Sequence, residues 1–142
     1  MPMKLTIPQD IYDRMIQHCR DDYPNEACGF IGGSDSVGTK LYPLPNAAAS
    51  PIYYRPGDKE MIAAINDIDE RDEELVAIFH SHVASAPIPS PTDRREAHYP
   101  DAVYLIVSLM DSENPLTRGW LIKKQDWRDE TGDVIEVDLV IS

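Results

Sequence analysis

The chain is poor in cysteine and has no long apolar run. Only Cys19 and Cys28 occur in 142 residues, too few for a disulfide framework, and Cys28 is expected to be a small buried hydrophobe. The longest strongly apolar stretch, Ala102 to Met110, is far shorter than the roughly 20 residues of a transmembrane helix. The N-terminus shows no apolar segment followed by a small-residue cleavage site. We therefore predict a cytoplasmic protein without membrane association.

Basic residues are also scarce. The sequence has 13 Lys and Arg residues against 25 Asp and Glu residues, which gives a formal net charge of −12. Nucleic-acid binding depends largely on Lys and Arg contacts with phosphates, so nucleic acid is not expected as a partner. Hydrophobic residues make up 42% and charged residues 27%, as in globular proteins. The length predicts one domain over residues 1–142.

Apolar periodicity predicts helices that alternate with strands. A stripe at four-residue spacing predicts a first helix from Pro8 to Asp22, formed by Ile7, Ile11, Met15 and Cys19. A second such pattern predicts a helix from Asp58 to Asp69, capped by Gly57 or Asp58. Apolar or alternating runs predict strands at 27–31, 39–44, 75–79, 102–109, 119–123 and 134–141. Two prolines make the 39–44 segment an edge strand at best.

The stretch from Phe79 to Asp93 concentrates metal-binding side chains. Residues two apart in a strand point to the same side, so His80 and His82 can face one point at a strand end. The segment Ser90–Asp93 predicts a helix start capped by Ser90, and the seven residues before it allow Asp93 to fold over the histidines. Two imidazoles and one carboxylate leave the fourth tetrahedral position of Zn²⁺ open for water, whose pKa falls to ~7 there. The pattern favours a catalytic zinc site.

Each part of this pattern also has a simpler interpretation. A His-x-His pair at a strand end is typical of hydrogen-bonding surface histidines, and Ser90 to Asp93 fits a capping box that does nothing else. Neither His-Glu-x-x-His nor paired Cys-x-x-Cys occurs in the sequence. His18, on the polar side of the first helix, and His98 are expected to be solvated. The closeness of the doublet to the capping box, after a buried strand, favours the metal site.

A hydrolytic metal site also needs a carboxylate that is not a ligand. Such a group holds the water and moves its proton to the leaving nitrogen. Glu26 is the candidate, because it lies at the mouth of the buried strand at 27–31.

Together these residues resemble the JAMM motif of the Mov34/MPN/PAD-1 family of zinc metallopeptidases. The motif consists of Glu26, then His80-Ser81-His82, seven residues, Ser90, two residues and Asp93, and the sequence matches it at every position. The resemblance extends from the first helix through Trp120. The chain is similar to the small bacterial members that release cysteine from a sulfur-carrier protein. The similar segments include Glu26-Ala-Cys-Gly29, Asn46-Ala47 and Tyr54-Arg55.

The resemblance implies a fold and a role for each residue. The fold class is α/β, of the α+β type, with a curved mixed β-sheet flanked by helices as in the cytidine deaminase-like architecture. The implied zinc ligands are His80, His82 and Asp93. Glu26 would be the general acid/base, and Ser90 would donate a hydrogen bond to the tetrahedral oxyanion. Asn46 would brace the site, and Ser81, which points to the opposite face, would be structural.

Two departures indicate which branch of the family the chain is similar to. Val83 follows the second histidine where many eukaryotic members have proline, and the chain lacks the long insertions with which deubiquitinating members clamp ubiquitin. The implied partner is instead a ubiquitin-like sulfur-carrier protein with a C-terminal Gly-Gly, from which zinc-dependent hydrolysis would free cysteine. Arg55, Arg94 and Arg95 could meet a carboxylate of the cysteine or of the carrier, and each also fits a solvated surface charge.

Two other functions are compatible with the same sequence. The chain could be an isopeptidase that removes a ubiquitin-like modifier from target lysines, which keeps the chemistry and changes the substrate. It could also be a non-catalytic MPN scaffold, although such modules usually lack some of the ligands that this chain retains.

Overall fold

One mixed sheet with a helix on each face positions the site. The computed structural model describes residues 4–142. Their elements, in chain order, are β1 (Lys4–Ile7), α1 (Gln9–Asp22), β2 (Cys28–Ser34), β3 (Val37–Leu44), α2 (Asp58–Glu70), β4 (Glu74–His82), α3 (Pro91–Arg95), β5 (Val103–Ser108), β6 (Leu116–Lys123) and β7 (Asp133–Ile141). These bounds confirm the predicted helices and strands, apart from β1.

The first strand was not predicted. Ile7, assigned above to the helical stripe, is the last residue of β1, and α1 begins after Pro8. Leu5 and Ile7 are both fully buried, and four residues before a proline are too few to show a strand period. The strand forms because a distant element pairs with it: β1 lies parallel to β7, from Lys4 opposite Asp138 to Ile7 opposite Ile141.

Pairing at both ends curves the sheet into a closed barrel. The strand order is β1-β3-β2-β4-β5-β6-β7, and β1 also meets β3 at one residue pair, Thr6 opposite Val37. The β1/β7 and β4/β5 pairs are parallel, and the β2/β3, β2/β4, β5/β6 and β6/β7 pairs are antiparallel. The curved mixed sheet is therefore confirmed. The predicted edge strand, β3, has only that single strand-pairing contact beyond its hairpin partner β2.

Alternate residues of the sheet face two separate cores. On β4, Ala77 and Phe79 pack in the core that contains α1, whereas Ile78 packs in the core that contains α2. The same alternation holds on β2 and β5, because successive side chains of a strand point to opposite faces. His80 and His82 therefore belong to the α2 face. No helix in residues 4–142 is long and apolar enough to cross a membrane.

A glycine fixes the pairing of β2 with β4. Gly29 lies opposite Phe79, and a Cβ atom at Gly29 would be 2.3 Å from the Phe79 ring. A side chain there would push the two strands apart, so the aromatic ring can cover the strand only because the residue is glycine. This register places Cys28 opposite His80, and two residues earlier it brings Glu26 to the level of His82.

Candidate metal centre

Two buried histidines end the central strand. His80 is 1% and His82 5% exposed, and their Nε2 atoms lie 3.2 Å apart. The strand continues to His82 rather than ending at Phe79, because Ala27 and Leu109 extend the pairing: Ser81 N donates to Ala27 O, and Leu109 N donates to His82 O. The two imidazoles thus converge as the spacing predicts.

The carboxylate of Asp93 completes the group. Its Oδ2 atom lies 2.9 Å from His82 Nε2 and 3.2 Å from His80 Nε2. The same oxygen accepts a hydrogen bond of 3.0 Å from Ser90 N, and Ser90 Oγ accepts one of 3.1 Å from Asp93 N. The hydrogen bonds of the capping box therefore hold the Asp93 carboxylate against the two histidines.

The loop between His82 and Ser90 is tied to the sheet. Trp120 Nε1 donates to Pro87 O at 2.9 Å, and Ser108 Oγ donates to Ser85 O at 2.6 Å. His82 Nδ1 lies 2.9 Å from Ala86 O, a carbonyl that can only accept. The Nδ1 atom therefore carries a proton, and Nε2 is the nitrogen that faces the cluster.

Electrostatics keep the cluster charged. Burial alone would raise the pKa of Asp93, but the nearby His80 and the hydrogen bonds from His80, His82 and Ser90 N hold it well below its usual range. Burial lowers the pKa of His82, and the hydrogen bonds to Asp93 and Ala86 O outweigh it, so the net shift is upward. A carboxylate that stays ionised at low pH is a strong partner for a cation.

The donor set fits a divalent metal ion. The ligand atoms of His80, His82 and Asp93 all lie within 4.8 Å of one another. Two imidazole nitrogens and one carboxylate oxygen make a set of three protein ligands, as in catalytic sites that keep the fourth position for water. One histidine has the backbone carbonyl that typically orients a metal ligand. The other, His80, keeps a buried Nδ1 atom without a hydrogen-bond partner in residues 4–142.

Glu26 lies beside this group without belonging to it. Its side chain is 6% exposed, and burial raises its pKa to about 7, with His82 lowering and Asp93 raising it by their charges. Its backbone is fixed on both sides, since Glu26 N donates to Ser50 O and Glu26 O accepts from Asn46 Nδ2, each at 2.9 Å. The backbone that carries the carboxyl group is therefore held in place, and the carboxyl group can change protonation near neutral pH.

Comparison with known proteins identifies the family. A model of the prokaryotic homologs of the JAB domain matches residues 8–123. The chain belongs to this family. The match confirms the resemblance given above and covers the whole motif from Glu26 to Asp93.

Two curated relatives of this JAB-domain chain are named as a peptidase and a desampylase. It is 34% identical to the CysO-cysteine peptidase of Mycobacterium tuberculosis over 134 residues, which cover 93% of this chain and 92% of the relative. It is also 34% identical to the desampylase of Haloferax volcanii over 112 residues, which cover 74% and 81% of the two chains.

Solved structures show the same JAB-domain fold. Protein DSY2949 of Desulfitobacterium hafniense has a TM-score of 0.83 and 32% identity, covering 97% of this chain and 92% of its own. AF2198 of Archaeoglobus fulgidus, a JAB1/MPN domain protein, has a TM-score of 0.53 at 14% identity, covering 96% and 98% of the two chains. The second likeness concerns the fold alone.

The structure gives contacts of Tyr54, Asn46 and His18 that can be compared with what the sequence predicts. The Tyr54 ring stacks on the His80 ring with centroids 4.3 Å apart and planes at 18°, and no role of Tyr54 was predicted. Asn46 has the bracing contacts that the resemblance implies, because it links Glu26 O to Tyr53 O. His18, expected to be solvated, is half-buried, with Nε2 3.1 Å from Cys28 O. That prediction was wrong because the edges of β2 and β3 cover the histidine, and helical periodicity cannot show this.

Proposed function

We propose that this protein is a zinc-dependent hydrolase that cleaves the bond after the C-terminal Gly-Gly of a ubiquitin-like sulfur-carrier protein and releases cysteine. The observation that carries the proposal is the convergence of His80, His82 and Asp93 on one point. The identity of 34% to CysO-cysteine peptidase over 93% of the chain supports the substrate class.

The protein's own groups would hold the metal and move the proton. His80, His82 and Asp93 are the proposed ligands. When bound there, zinc supplies Lewis acidity toward water and the scissile carbonyl. Glu26 takes a proton from the attacking water and gives it to the departing amine. Its pKa of about 7 suits a group that must accept and release a proton near neutral pH.

Ser90 is the proposed donor to the tetrahedral oxyanion. Its Oγ atom accepts from Asp93 N, which leaves the hydroxyl hydrogen available to donate outward. The capping box holds this hydroxyl next to the carboxylate ligand, so its position does not have to be reorganised during the reaction. One such donor contributes roughly 3 kcal/mol to transition-state stabilisation in other hydrolases.

The burial of the site explains why a Gly-Gly end suits it. His80 and His82 are at most 5% exposed, so a substrate reaches them only with a thin segment of backbone. Glycine has no side chain and allows close approach of the main chain. A bulkier residue before the scissile bond would meet the walls of the site first.

Turnover of two matched conjugates tests the proposal. One carrier ends in Gly-Gly-cysteine, and the other joins the same Gly-Gly to the side-chain amine of a lysine peptide. We expect hydrolysis of the cysteine conjugate with a kcat/KM at least about tenfold higher, equivalent to about 1.4 kcal/mol. A chelator should abolish the activity and added zinc should restore it.

The desampylase relative favours a second candidate, the release of a ubiquitin-like modifier from lysine. A preference of about tenfold for the lysine conjugate would establish it and overturn the cysteine assignment. A third outcome would support a non-catalytic scaffold. In that case protein purified without chelator contains far less than one zinc ion per chain, does not gain zinc on reconstitution and cleaves neither conjugate.

A further inference from the structure

Three arginines lie near the site in sequence, and the structure separates them. Arg94 donates to Thr131 O at 2.8 Å and to Gly132 O at 2.7 Å, so its guanidinium is engaged in holding the loop at 131–132. Arg95 donates to Thr92 Oγ1 at 3.3 Å. Arg55 is exposed, and its guanidinium makes no hydrogen bond or ion pair within residues 4–142. Of these three cations, Arg55 is the one whose guanidinium makes no hydrogen bond to the described residues.

The backbone of Arg55 is tied to that of Glu26 through one side chain. Asn46 Nδ2 donates to both Glu26 O and Tyr53 O at 2.9 Å, and Asn46 Oδ1 accepts from Arg55 N at 3.0 Å. Ala47 N in turn donates to Arg55 O at 2.7 Å. The proposed proton carrier and this arginine are therefore held in a fixed relation by the same amide.

A cleft lies beside this segment. Its volume is about 270 Å³, and Tyr53, Tyr54 and Arg55 form one wall, with Glu96, His98 and Tyr99 also lining it. Tyr54 belongs to both places, because its ring stacks on His80 and also lines the cleft. The cleft that Arg55 lines therefore shares the Tyr54 side chain with the cluster.

Because the molecule is acidic, a cation in the cleft matters for binding an anionic group. The net charge is −12, Glu96 lines the cleft together with Arg55, and the carboxyl groups of Glu26 and Asp93 lie at the cluster. A negatively charged leaving group is repelled by these carboxyl groups unless a cation pairs with it. Cysteine released from a carrier has an α-carboxylate one carbon from the scissile nitrogen. A lysine inside a protein has no such group.

We propose that Arg55 binds the α-carboxylate of the leaving amino acid and so selects a free amino acid over a lysine side chain. This inference rests on the proposed function. A guanidinium and a carboxylate form paired, charge-assisted hydrogen bonds, and the exposed position of Arg55 allows the carboxylate to arrive from solvent. Arg55 is a specificity-determining residue here, and hydrolysis itself stays with the residues described above.

Two substrates and three variants test the assignment. The substrates are the carrier–cysteine conjugate and the same conjugate ending in cysteine amide, which has the same shape without the negative charge. For the wild type we expect kcat/KM to be about 10- to 100-fold higher with the carboxylate, the range for a hydrogen bond between charged groups. In Arg55→Gln this preference should disappear, mainly through a higher KM. Arg55→Lys should retain part of it, and Arg95→Gln should leave it unchanged.

The outcomes distinguish failure of this inference from failure of the proposed function. Equal turnover of both substrates by the wild type, or an equal loss on both in Arg55→Gln, would overturn the role of Arg55 and leave the hydrolase intact. Turnover of neither substrate would overturn the proposed function first. Zinc content and circular dichroism of Arg55→Gln should match the wild type, because its backbone bonds to Asn46 and Ala47 do not need the side chain.

Discussion

The two faces of β4 carry different kinds of side chain. Toward α1 the strand presents Ala77 and Phe79, both fully buried and surrounded by aliphatic side chains. The one polar side chain on that side, Ser81, is also fully buried, and its Oγ accepts a hydrogen bond of 2.8 Å from Ala27 N. Toward α2 the strand presents Leu75 and Ile78 and ends in two histidines. The α1 face thus contributes mainly apolar burial, and the α2 face contributes proposed metal ligands.

The difference teaches how a buried polar cluster is tolerated. Burying an unpaired polar group costs free energy, and a charged one costs more. On the α2 face that cost is offset by the mutual contacts of His80, His82 and Asp93, and by the carbonyl of Ala86. On the α1 face each fully buried large side chain contributes about 1.5–3 kcal/mol. The apolar face can therefore hold the strand in register for the polar face, and changes on the two faces should have separable effects.

The largest expected effect is the loss of the metal in His82→Ala. The substitution removes one of three proposed ligands and leaves the α1 face untouched. Loss of an outer-shell partner alone weakens metal binding by about 10- to 100-fold, so we expect more than about 100-fold here and no measurable hydrolysis. Zinc titration and the carrier–cysteine assay measure both. His98→Ala, a histidine whose side chain is 70% exposed, is the control and should keep wild-type zinc. Retention of zinc by His82→Ala would contradict the ligand assignment.

Glu26→Gln should separate catalysis from metal binding on the same face. The amide has nearly the same shape but cannot carry the proton, so kcat should fall by about 10²- to 10⁴-fold while zinc content stays at the wild-type level. The values of kcat and kcat/KM should fall together, as expected for a group that acts in the transition state. Glu70→Gln, at the exposed C-terminal end of α2, is the matched control. A Glu26→Gln variant with wild-type turnover would remove this residue from the mechanism.

Much of the α1 face and of the ligand set could be predicted from sequence. The stripe on α1 and the apolar run of β4 are local patterns with one dominant period each. The His-x-His spacing and the capping box at Ser90 are also local, and together they bring the ligands to one side. β1 could not be predicted in this way, because Lys4 to Ile7 become a strand only by pairing with β7 at the other end of the chain.

The surroundings of the cluster lay beyond sequence reasoning. Tyr54 reaches His80 from a loop, and the carbonyl of Ala86 reaches His82 from another. Loop conformations depend on tertiary contacts such as the bond from Trp120 to Pro87 O, and no periodicity encodes these. The contacts of the Arg55 and Arg94 guanidinium groups differ for the same reason, although the same role was considered for both from sequence.

The ionisation of Glu26, which lies beside the cluster on the α2 face, should make the free energy of unfolding depend on pH. Its pKa is about 7 in the folded protein against an ordinary value of 4.5, so between these values the folded state binds more protons than the unfolded state. Stability therefore falls as pH rises through this window. In metal-free protein the wild type should lose up to about 3 kcal/mol relative to Glu26→Gln. Urea unfolding with chelator at pH values of about 5 and about 8 measures this. Parallel curves for the two proteins would show that the carboxyl ionises as freely as in water.

The smallest effect should come from Ser81→Ala, and it should fall on stability alone. Removing Oγ leaves the buried Ala27 N–H without an acceptor, which costs about 1–3 kcal/mol. The side chain points away from the ligands, so zinc binding and the kcat of the folded protein should change by less than about twofold. Ser112→Ala, at an exposed position, should alter the unfolding free energy by less than about 0.5 kcal/mol. Loss of zinc from Ser81→Ala would mean that the faces are coupled through the β4 backbone, because Ser81 is the residue between the two histidines.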